Sequence, residues 1–276
     1  AVLVAWDADQ ATSLPGLRAK AEANGYYRAE IVGPEAVYEQ LPHLGPGVTG
    51  GLVVPDESVI DAWSVPLALA TEASLRGAAL LREHRVTGIA VGAEFTTVRT
   101  NQGTLTAKWV VNAAGLGADD IDAMFGFDRL QVYPRKGELL VFDKLSSRLV
   151  DRIILAVPTK VGKGVLISPT IFGNVMLGPT AEDMEDKTDT STTEEGFDFL
   201  LTKGRAIMPD LLSEEVTASY AGLRAASNQK DYLIDVDRPQ RYVVAGAIRS
   251  TGLTSAMAVA EHIVGLLDEE GLDMSV

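Results

Sequence analysis

One stretch constrains the fold more than any other: an apolar strand that leads through small residues into the start of a helix. It runs from Trp109 to Asp120 and ends in two acids that suit the first turn of a helix. Ala113, Ala114 and Gly115 lie at the carboxyl end of the strand and have almost no side chain. A ligand could approach the backbone closely there, where open α/β sheets place nucleotides. A close packing contact between strand and helix explains the same pattern without a ligand.

The order of the predicted elements excludes a simple alternating βαβ protein. Helix-rich segments come first, followed by an antiparallel meander that ends in the strand described above. A strand-rich block comes next, and the chain closes with a strand, a turn and a helix. We therefore predict a mixed α/β fold of two interleaved regions. One region, mostly antiparallel sheet, comprises residues 1–60 and 128–225, and the other, an α/β layer, comprises residues 61–127 and 226–276.

Local patterns predict where several elements begin and end. The period-two pattern over 104–111 predicts one continuous strand. Asp61 is expected to cap a helix over 62–76, because aspartate is a favoured residue before the first helical turn. Thr192 and Glu195 are expected to form a capping box for the helix that follows them.

Charge and composition exclude several classes of partner and chemistry. The net charge of −14 argues against nucleic acid and against an anionic membrane surface, since both attract basic patches. Cysteine is absent, which excludes thiolate chemistry and favours a reducing compartment, so we expect a cytoplasmic protein. No pair of histidines has metal-ligand spacing, so no metal is expected. The apolar stretch 253–267 contains Glu261 and His262 and is too short to span a bilayer.

Two glycine-containing turns depart from known phosphate-binding patterns. The turn 162–164 lacks the earlier glycine and the following hydroxyl residue of a P-loop. The turn 115–120 begins like a dinucleotide fingerprint, but Asp120 takes the place of the third glycine and Asp119 adds a second negative charge. We therefore expect this turn to lie beside a nucleotide, with the pyrophosphate-binding turn elsewhere or missing.

Two further segments suit contact with an anion. Backbone N–H groups at the start of the helix after Gly252 could stabilise negative charge, although an ordinary helix start has the same pattern. Arg224 ends a strand between small residues, which gives its guanidinium room to reach a cavity, although a surface arginine is the alternative. Arg135 is expected to be solvated. Weaker candidates for an anion contact are Lys160, Lys163 and Arg249.

Six motifs occur here in the order found in one family. They are Val110–Asp120, Tyr133–Leu140, Pro158–Leu166, Gly178–Glu182, Ala221–Arg224 and Gly252–Thr254. On these motifs the chain resembles the FAD-dependent oxidoreductases of the D-amino acid oxidase superfamily. It most resembles the branch with anaerobic-type glycerol-3-phosphate dehydrogenase-like proteins and L-2-hydroxyglutarate oxidases. The resemblance implies a FAD-binding domain of glutathione reductase type, here incomplete, interleaved with an antiparallel-sheet substrate domain.

The chain departs from this family at one important point. The family begins with a βαβ unit whose Gly-x-Gly-x-x-Gly turn holds the FAD pyrophosphate, and no such unit corresponds in this sequence. We therefore expect a fragment that starts downstream of that unit and binds FAD poorly by itself. Thr251 and Met257 stand where relatives often have proline, which affects the stiffness of a turn more than the chemistry.

The resemblance also implies roles for individual residues. Val86 and Thr87 would lie near the adenosine half of FAD, and the turn 113–115 would line the cofactor's backbone side. Arg224 takes the position that clamps the substrate carboxylate or phosphate in relatives. The residues that would face the isoalloxazine ring are Ser250, Thr251, Gly252, Leu253 and Thr254.

The function implied is the oxidation of a CH–OH group in a small anionic substrate, with hydride transfer to FAD. Glycerol 3-phosphate and a 2-hydroxy acid are both open as the substrate. An amino acid oxidised at its CH–NH₂ group is one alternative. A catalytically silent fragment with only an anion-binding cleft is another. The electron acceptor and the oligomeric state stay undecided.

Overall fold

The computed structural model describes residues 1–158 and 164–272, and it contains helices and strands throughout. The α-helices of this part of the chain are α1 (Ala8–Ala23), α2 (Pro34–Gln40), α3 (Ser64–Leu75), α4 (Ala118–Met124), α5 (Glu194–Ile207) and α6 (Gly252–Glu269). The strands are β1 (Val2–Ala5), β2 (Glu30–Val32), β3 (Gly50–Val53), β4 (Val86–Val91), β5 (Thr96–Thr100), β6 (Gly103–Ala107), β7 (Val110–Asn112), β8 (Val132–Phe142), β9 (Ile154–Ala156), β10 (Leu166–Pro169), β11 (Val175–Gly178), β12 (Glu182–Asp183), β13 (Val216–Ser227), β14 (Leu233–Asp237) and β15 (Tyr242–Gly246).

The chain divides into two compact units, each built from separate segments. The first unit is formed by Ala1–Asp61, Lys136–Glu182 and Asp189–Gly222, and the second by Ala62–Arg135, Asp183–Thr188 and Leu223–Val276. The prediction of a mixed α/β fold is confirmed. The assignment of one region to the substrate and the other to the cofactor stays a prediction.

A mostly antiparallel sheet forms the core of the first unit. In the described residues its strand order is β12-β8-β11-β10-β9-β1-β3-β2, and β13 pairs with β8. β1 is antiparallel to β3 and parallel to β9, with Val2 opposite Ile154 in the parallel register. α5 packs near this sheet through Gly204, where an added Cβ would lie 2.7 Å from the Leu177 side chain. The buried core includes Val2, Leu140, Phe142, Ile167, Leu177 and Leu200.

Two smaller sheets belong to the second unit. One has the order β14-β15-β7, and the other is the meander β4-β5-β6. β15 is buried along its whole length, as expected for an apolar strand covered on both faces. Its two faces meet separate clusters, one with Phe125 and Leu130 and the other with Ile263 and Leu267.

The prediction of one strand over 104–111 is wrong, because the chain leaves the meander at Lys108 and joins another sheet. The guanidinium of Arg241 donates to the carbonyls of Lys108 at 3.1 Å and Gly92 at 2.7 Å, and the Val110 N–H donates to the Arg241 carbonyl at 3.0 Å. These long-range hydrogen bonds satisfy the backbone carbonyl and N–H groups at the break. The bond from Val110 also places the first residue of β7 beside β15.

Two predicted helix caps are wrong. α5 is capped by Thr193 rather than Thr192, and the Thr193 hydroxyl accepts from the Gly196 N–H at 3.0 Å. α3 begins at Ser64, so Asp61 lies too far upstream to be its capping residue. None of the residues of α3 is buried, although the helix is strongly apolar.

Candidate functional site

Two of the predicted cofactor-contact segments lie at the same edge of one sheet. β7 and β15 are parallel, with Val110 opposite Tyr242 and Asn112 opposite Val244. Their carboxyl ends therefore point the same way, and a turn follows each strand at that edge. This is the position where open α/β sheets bind ligands.

The turn after β7 presents small residues to the surface. Ala113, Ala114 and Gly115 are all exposed, and a Cβ added at Gly115 would meet no described atom within 4 Å. Gly115 has a φ of +57°, which explains the glycine by backbone conformation. The turn therefore leaves room for a ligand beside the backbone.

One of the two acids at the start of α4, Asp119, is paired by a contact that sequence patterns cannot show. Lys187 Nζ lies 2.7 and 2.9 Å from the two carboxylate oxygens of Asp119, and the same carboxylate accepts from the Val132 N–H at 3.0 Å. The repulsion of a phosphate by Asp119 is weaker than we expected, because a paired carboxylate has a smaller field.

The turn after β15 has an unusual backbone. Ala247 and Arg249 both have a φ of +59°, a left-handed conformation that costs a residue with a Cβ about 1–3 kcal/mol. The Arg249 guanidinium donates to the Gln229 carbonyl, and the Tyr232 hydroxyl contacts Thr251 Oγ1. Two side-chain contacts from the segment before β14 therefore hold this turn. Arg249 is exposed, and its assignment to the substrate stays a prediction.

The predicted ring-facing residues occupy the end of this turn and the start of α6. Ser250, Leu253 and Thr254 are exposed, whereas Thr251 and Gly252 are half-buried. Gly252 has helical angles of −55° and −49°, so its backbone does not require glycine. An added Cβ would lie 3.5 Å from Ile248 Cγ2, an ordinary contact. The contact of these residues with a flavin stays a prediction.

Val86 and Thr87 lie in β4, in a different sheet from the two turns. The pairing of β4 with β5 is irregular between Val86 and Gly88, and Thr87 Oγ1 donates to the Arg99 carbonyl at 3.4 Å. Ile89 of the same strand packs against the cluster that contains Phe125. The meander is thus anchored in the second unit, and the assignment of its first residues to adenosine stays a prediction.

Arg224 lies on β13 with its side chain half-buried. Its Nε donates to the Arg135 carbonyl at 3.3 Å. Burial lowers the pKa of Arg224 below the usual value of a guanidinium, the charge of Arg135 lowers it further, and Asp183 opposes the shift. Arg135 itself binds Asp183, with Nη2 2.8 Å from Oδ2, while its side chain is 41% exposed, so the ion pair forms in contact with solvent and the solvation of Arg135 stays a prediction. The two guanidiniums and the Asp183 carboxylate together carry a formal net positive charge, which attracts an anion.

The remaining predicted substrate residues, Lys160 and Lys163, lie outside the described residues. Within 1–158 and 164–272 no group of three or more histidine or acidic residues could hold a metal ion. The same part of the chain contains no helix with the length and apolar character that a bilayer crossing requires.

Sequence reasoning missed one glycine pattern, and the structure explains it. Residues 45–50 read Gly-Pro-Gly-Val-Thr-Gly, which fits the letters of a dinucleotide fingerprint. They lead from α2 into β3, however, whereas the fingerprint requires a strand followed by a helix. The Gly45 N–H donates to the Ile207 carbonyl at 2.8 Å, and a Cβ there would lie 2.5 Å from the Ala206 oxygen. Close packing against α5 therefore explains Gly45.

Comparison with known proteins places the chain in a wider context. Residues 1–266 match the family model described as DAO, FAD dependent oxidoreductase. A glycerol 3-phosphate dehydrogenase of Caloramator mitchellensis is 34% identical over 268 residues, which are 96% of this chain. The aligned region is 56% of that relative, so the chain spans little more than half of its length.

Solved structures show the same fold. The L-α-glycerophosphate oxidase of Mycoplasma pneumoniae, reduced with dithionite and with FAD bound, superposes with a TM-score of 0.89 at 26% identity and covers 97% of this chain and 72% of that protein. The glycine oxidase of Bacillus cereus superposes with a TM-score of 0.86 at 20% identity over 98% of this chain and 72% of that protein. At the lower identity, the second likeness concerns the fold alone.

Proposed function

The chain belongs to the family of FAD-dependent oxidoreductases, and we propose that it oxidises the hydroxyl-bearing carbon of a small anionic substrate. Glycerol 3-phosphate is our first candidate, because it is named in the relatives that align over nearly the whole chain and in the FAD-containing structure. The observation that carries the proposal is the half-buried guanidinium of Arg224 beside a second arginine, a setting suited to a phosphate or carboxylate.

The two turns at the carboxyl ends of β7 and β15 fit a flavin nucleotide. Exposed small residues after β7 would hold the cofactor's backbone side, and Ser250 to Thr254 would hold the ring. When bound, the flavin supplies the redox chemistry by accepting a hydride from the substrate carbon. The described residues provide no strand, glycine-rich turn and helix for the pyrophosphate, so the residues present fit only part of the cofactor.

The residues of the chain have two tasks in this proposal. Arg224 binds the substrate's anionic group with two parallel hydrogen bonds and so fixes the orientation of the carbon to be oxidised. The start of the 18-residue helix α6 would provide the positive end of a helix dipole, which would stabilise negative charge on a flavin ring held at this turn. We further propose a cytoplasmic location, from the cysteine-free composition, and an electron acceptor that the sequence does not specify.

Substrate reduction under anaerobic conditions tests the proposal directly. We expect glycerol 3-phosphate to bleach the visible absorbance of the flavin-loaded protein, and L-2-hydroxyglutarate and glycine to bleach it more slowly or not at all. Faster bleaching by L-2-hydroxyglutarate would move the assignment to a 2-hydroxy acid. Bleaching by glycine alone would favour the amino acid alternative. A flavin-loaded protein that no substrate reduces would contradict the proposed oxidation.

A further inference from the structure

We propose that Asn112 is a positioning residue that holds the turn 113–115 in the shape in which it meets the cofactor. The inference rests on the proposed function and names a residue to which neither sequence pattern nor resemblance assigned a role. Asn112 ends β7 and is 3% exposed, directly before three exposed small residues. A buried polar side chain at the base of an exposed turn is well placed to control the turn's geometry.

The carboxamide of Asn112 bonds to the backbone on both sides of the turn. Its Oδ1 accepts from the Ala114 N–H at 3.2 Å, and its Nδ2 donates to the Ala118 carbonyl at 2.8 Å. Nδ2 also donates to the hydroxyl of Tyr242 at 2.8 Å. Because the Ala118 carbonyl can only accept, the amide orientation is fixed. One side chain thus ties the beginning of the turn to the start of α4.

A buried network holds Asn112 in this orientation. The Tyr242 hydroxyl accepts from Asn112 and donates to Asp122 Oδ1 at 3.0 Å. Asp122 is 1% exposed and lies 3.2 Å from a guanidinium nitrogen of Arg129. Burial raises the pKa of Tyr242 well above the usual value of a phenol, so its hydroxyl keeps the proton that it donates. Asn112, Tyr242 and Asp122 therefore each have a hydrogen-bond partner within this network, which restricts their side-chain conformations.

Aromatic packing makes the network part of the core. The Tyr242 ring stacks on Phe125 with centroids 3.9 Å apart, and the Arg129 guanidinium lies 4.0 Å from the centroid of Phe127. The exposed residues 113–115 do not share this packing. The hydrogen bonds from Asn112 therefore connect the exposed turn to a side chain that is held in the core.

The test separates flavin affinity from stability in the intact flavoprotein. Asn112→Ser keeps an acceptor for the Ala114 N–H but has a single O–H donor, so it loses at least one of the two donated bonds, and Asn112→Ala loses all three. We expect the FAD dissociation constant to rise about tenfold in Asn112→Ser and further in Asn112→Ala. Tyr242→Phe keeps the ring packing and removes one partner of Asn112, and we expect a smaller rise. Amide exchange at Ala114 in the apoprotein should accelerate in the same order.

Asn174→Ala is the matched control. Asn174 Nδ2 donates to the Phe142 carbonyl at 2.9 Å in the first unit, so its loss should lower thermal stability and leave FAD affinity unchanged. If the Asn112 variants lose stability but bind FAD as tightly as the parent, Asn112 is merely structural and the inference is wrong. If the Asn112 variants do not fold, the affinity of Tyr242→Phe decides. A parent protein that takes up no FAD even at saturating concentration would instead contradict the proposed function, whereas weak binding would not.

Discussion

Replacing Arg224 with lysine isolates the geometry of the proposed anion clamp, because the charge is kept. Arg224 is half-buried on β13, and its Nε is already bonded to the Arg135 carbonyl. That bond orients the plane of the guanidinium, and a planar guanidinium can bind an anion at two points. A lysine at this position keeps the positive charge but has no planar guanidinium, and it cannot replace the hydrogen bond that Arg224 Nε donates.

The magnitude follows from the bonds that are lost. One charge-assisted hydrogen bond in a partly desolvated setting contributes about 1.5–3 kcal/mol, which is roughly a tenfold to hundredfold effect on kcat/KM. Arg224→Ala should be worse than Arg224→Lys. Arg135 and Asp183 neutralise each other, so removing Arg224 leaves this cluster without net positive charge for the substrate.

The assay is steady-state turnover of the flavin-loaded protein with glycerol 3-phosphate, with flavin spectrum and thermal midpoint recorded for each variant. We expect kcat/KM to fall while spectrum and midpoint stay near the parent values, since no core packing is removed. Arg82→Lys is the matched control, because Arg82 is an exposed arginine of the same unit. If Arg224→Lys and Arg224→Ala both turn over substrate at the parent rate, the clamp is another residue, and Arg249 is the next to test.

Three further predictions concern the cofactor and the fold. The 276-residue chain expressed alone should bind FAD weakly and purify without visible absorbance, because residues 1–158 and 164–272 offer the pyrophosphate no glycine-rich turn between a strand and a helix; stoichiometric flavin would show that the cofactor site is misplaced. In the flavin-loaded protein, Gly252→Val should lose flavin, because the valine side chain would collide with a ring held at this turn. The variant should keep its fold, because Gly252 has helical angles and room for a Cβ. Unchanged flavin content measured by absorbance would remove Gly252 from the ring site. Thr193→Ala should lower the free energy of unfolding by about 1 kcal/mol in a denaturant titration, whereas Thr192→Ala should change it little, and equal effects would contradict the assigned cap.

The sequence predicted the elements well where a periodic pattern was long, and failed where a distant residue decides a boundary. The apolar run of β15 and the closing helix are both present. The strand 104–111 breaks because Arg241, far along the chain, satisfies carbonyls at the break. The letters of the capping box fit only Thr192, which has Glu195 three residues later, whereas the N–H of Thr193 donates to the distant Glu138 at 2.9 Å and Thr193 is the capping residue.

The candidate site shows the same division. The sequence predicts small residues after β7 and a turn before α6. The structure adds the parallel pairing of β7 with β15, which brings these two segments to one edge of the sheet. The contact between Lys187 and Asp119 joins residues 68 positions apart, and the bond between Asn112 and Tyr242 joins residues 130 apart. No local pattern encodes such pairs, so the electrostatics and rigidity of the site come only from the fold.

The helix α3 is apolar and none of its residues is buried, which affects how this chain associates in solution when it is purified alone. Leu67, Leu69 and Leu75 of this helix are 68%, 47% and 79% exposed. Large apolar side chains exposed along one helix favour association between molecules. Gel filtration of the isolated chain should therefore show concentration-dependent species, and a hydrophobic dye should fluoresce in its presence. An oligomeric state measured on this chain alone would then reflect non-specific hydrophobic association through α3 rather than a biological assembly.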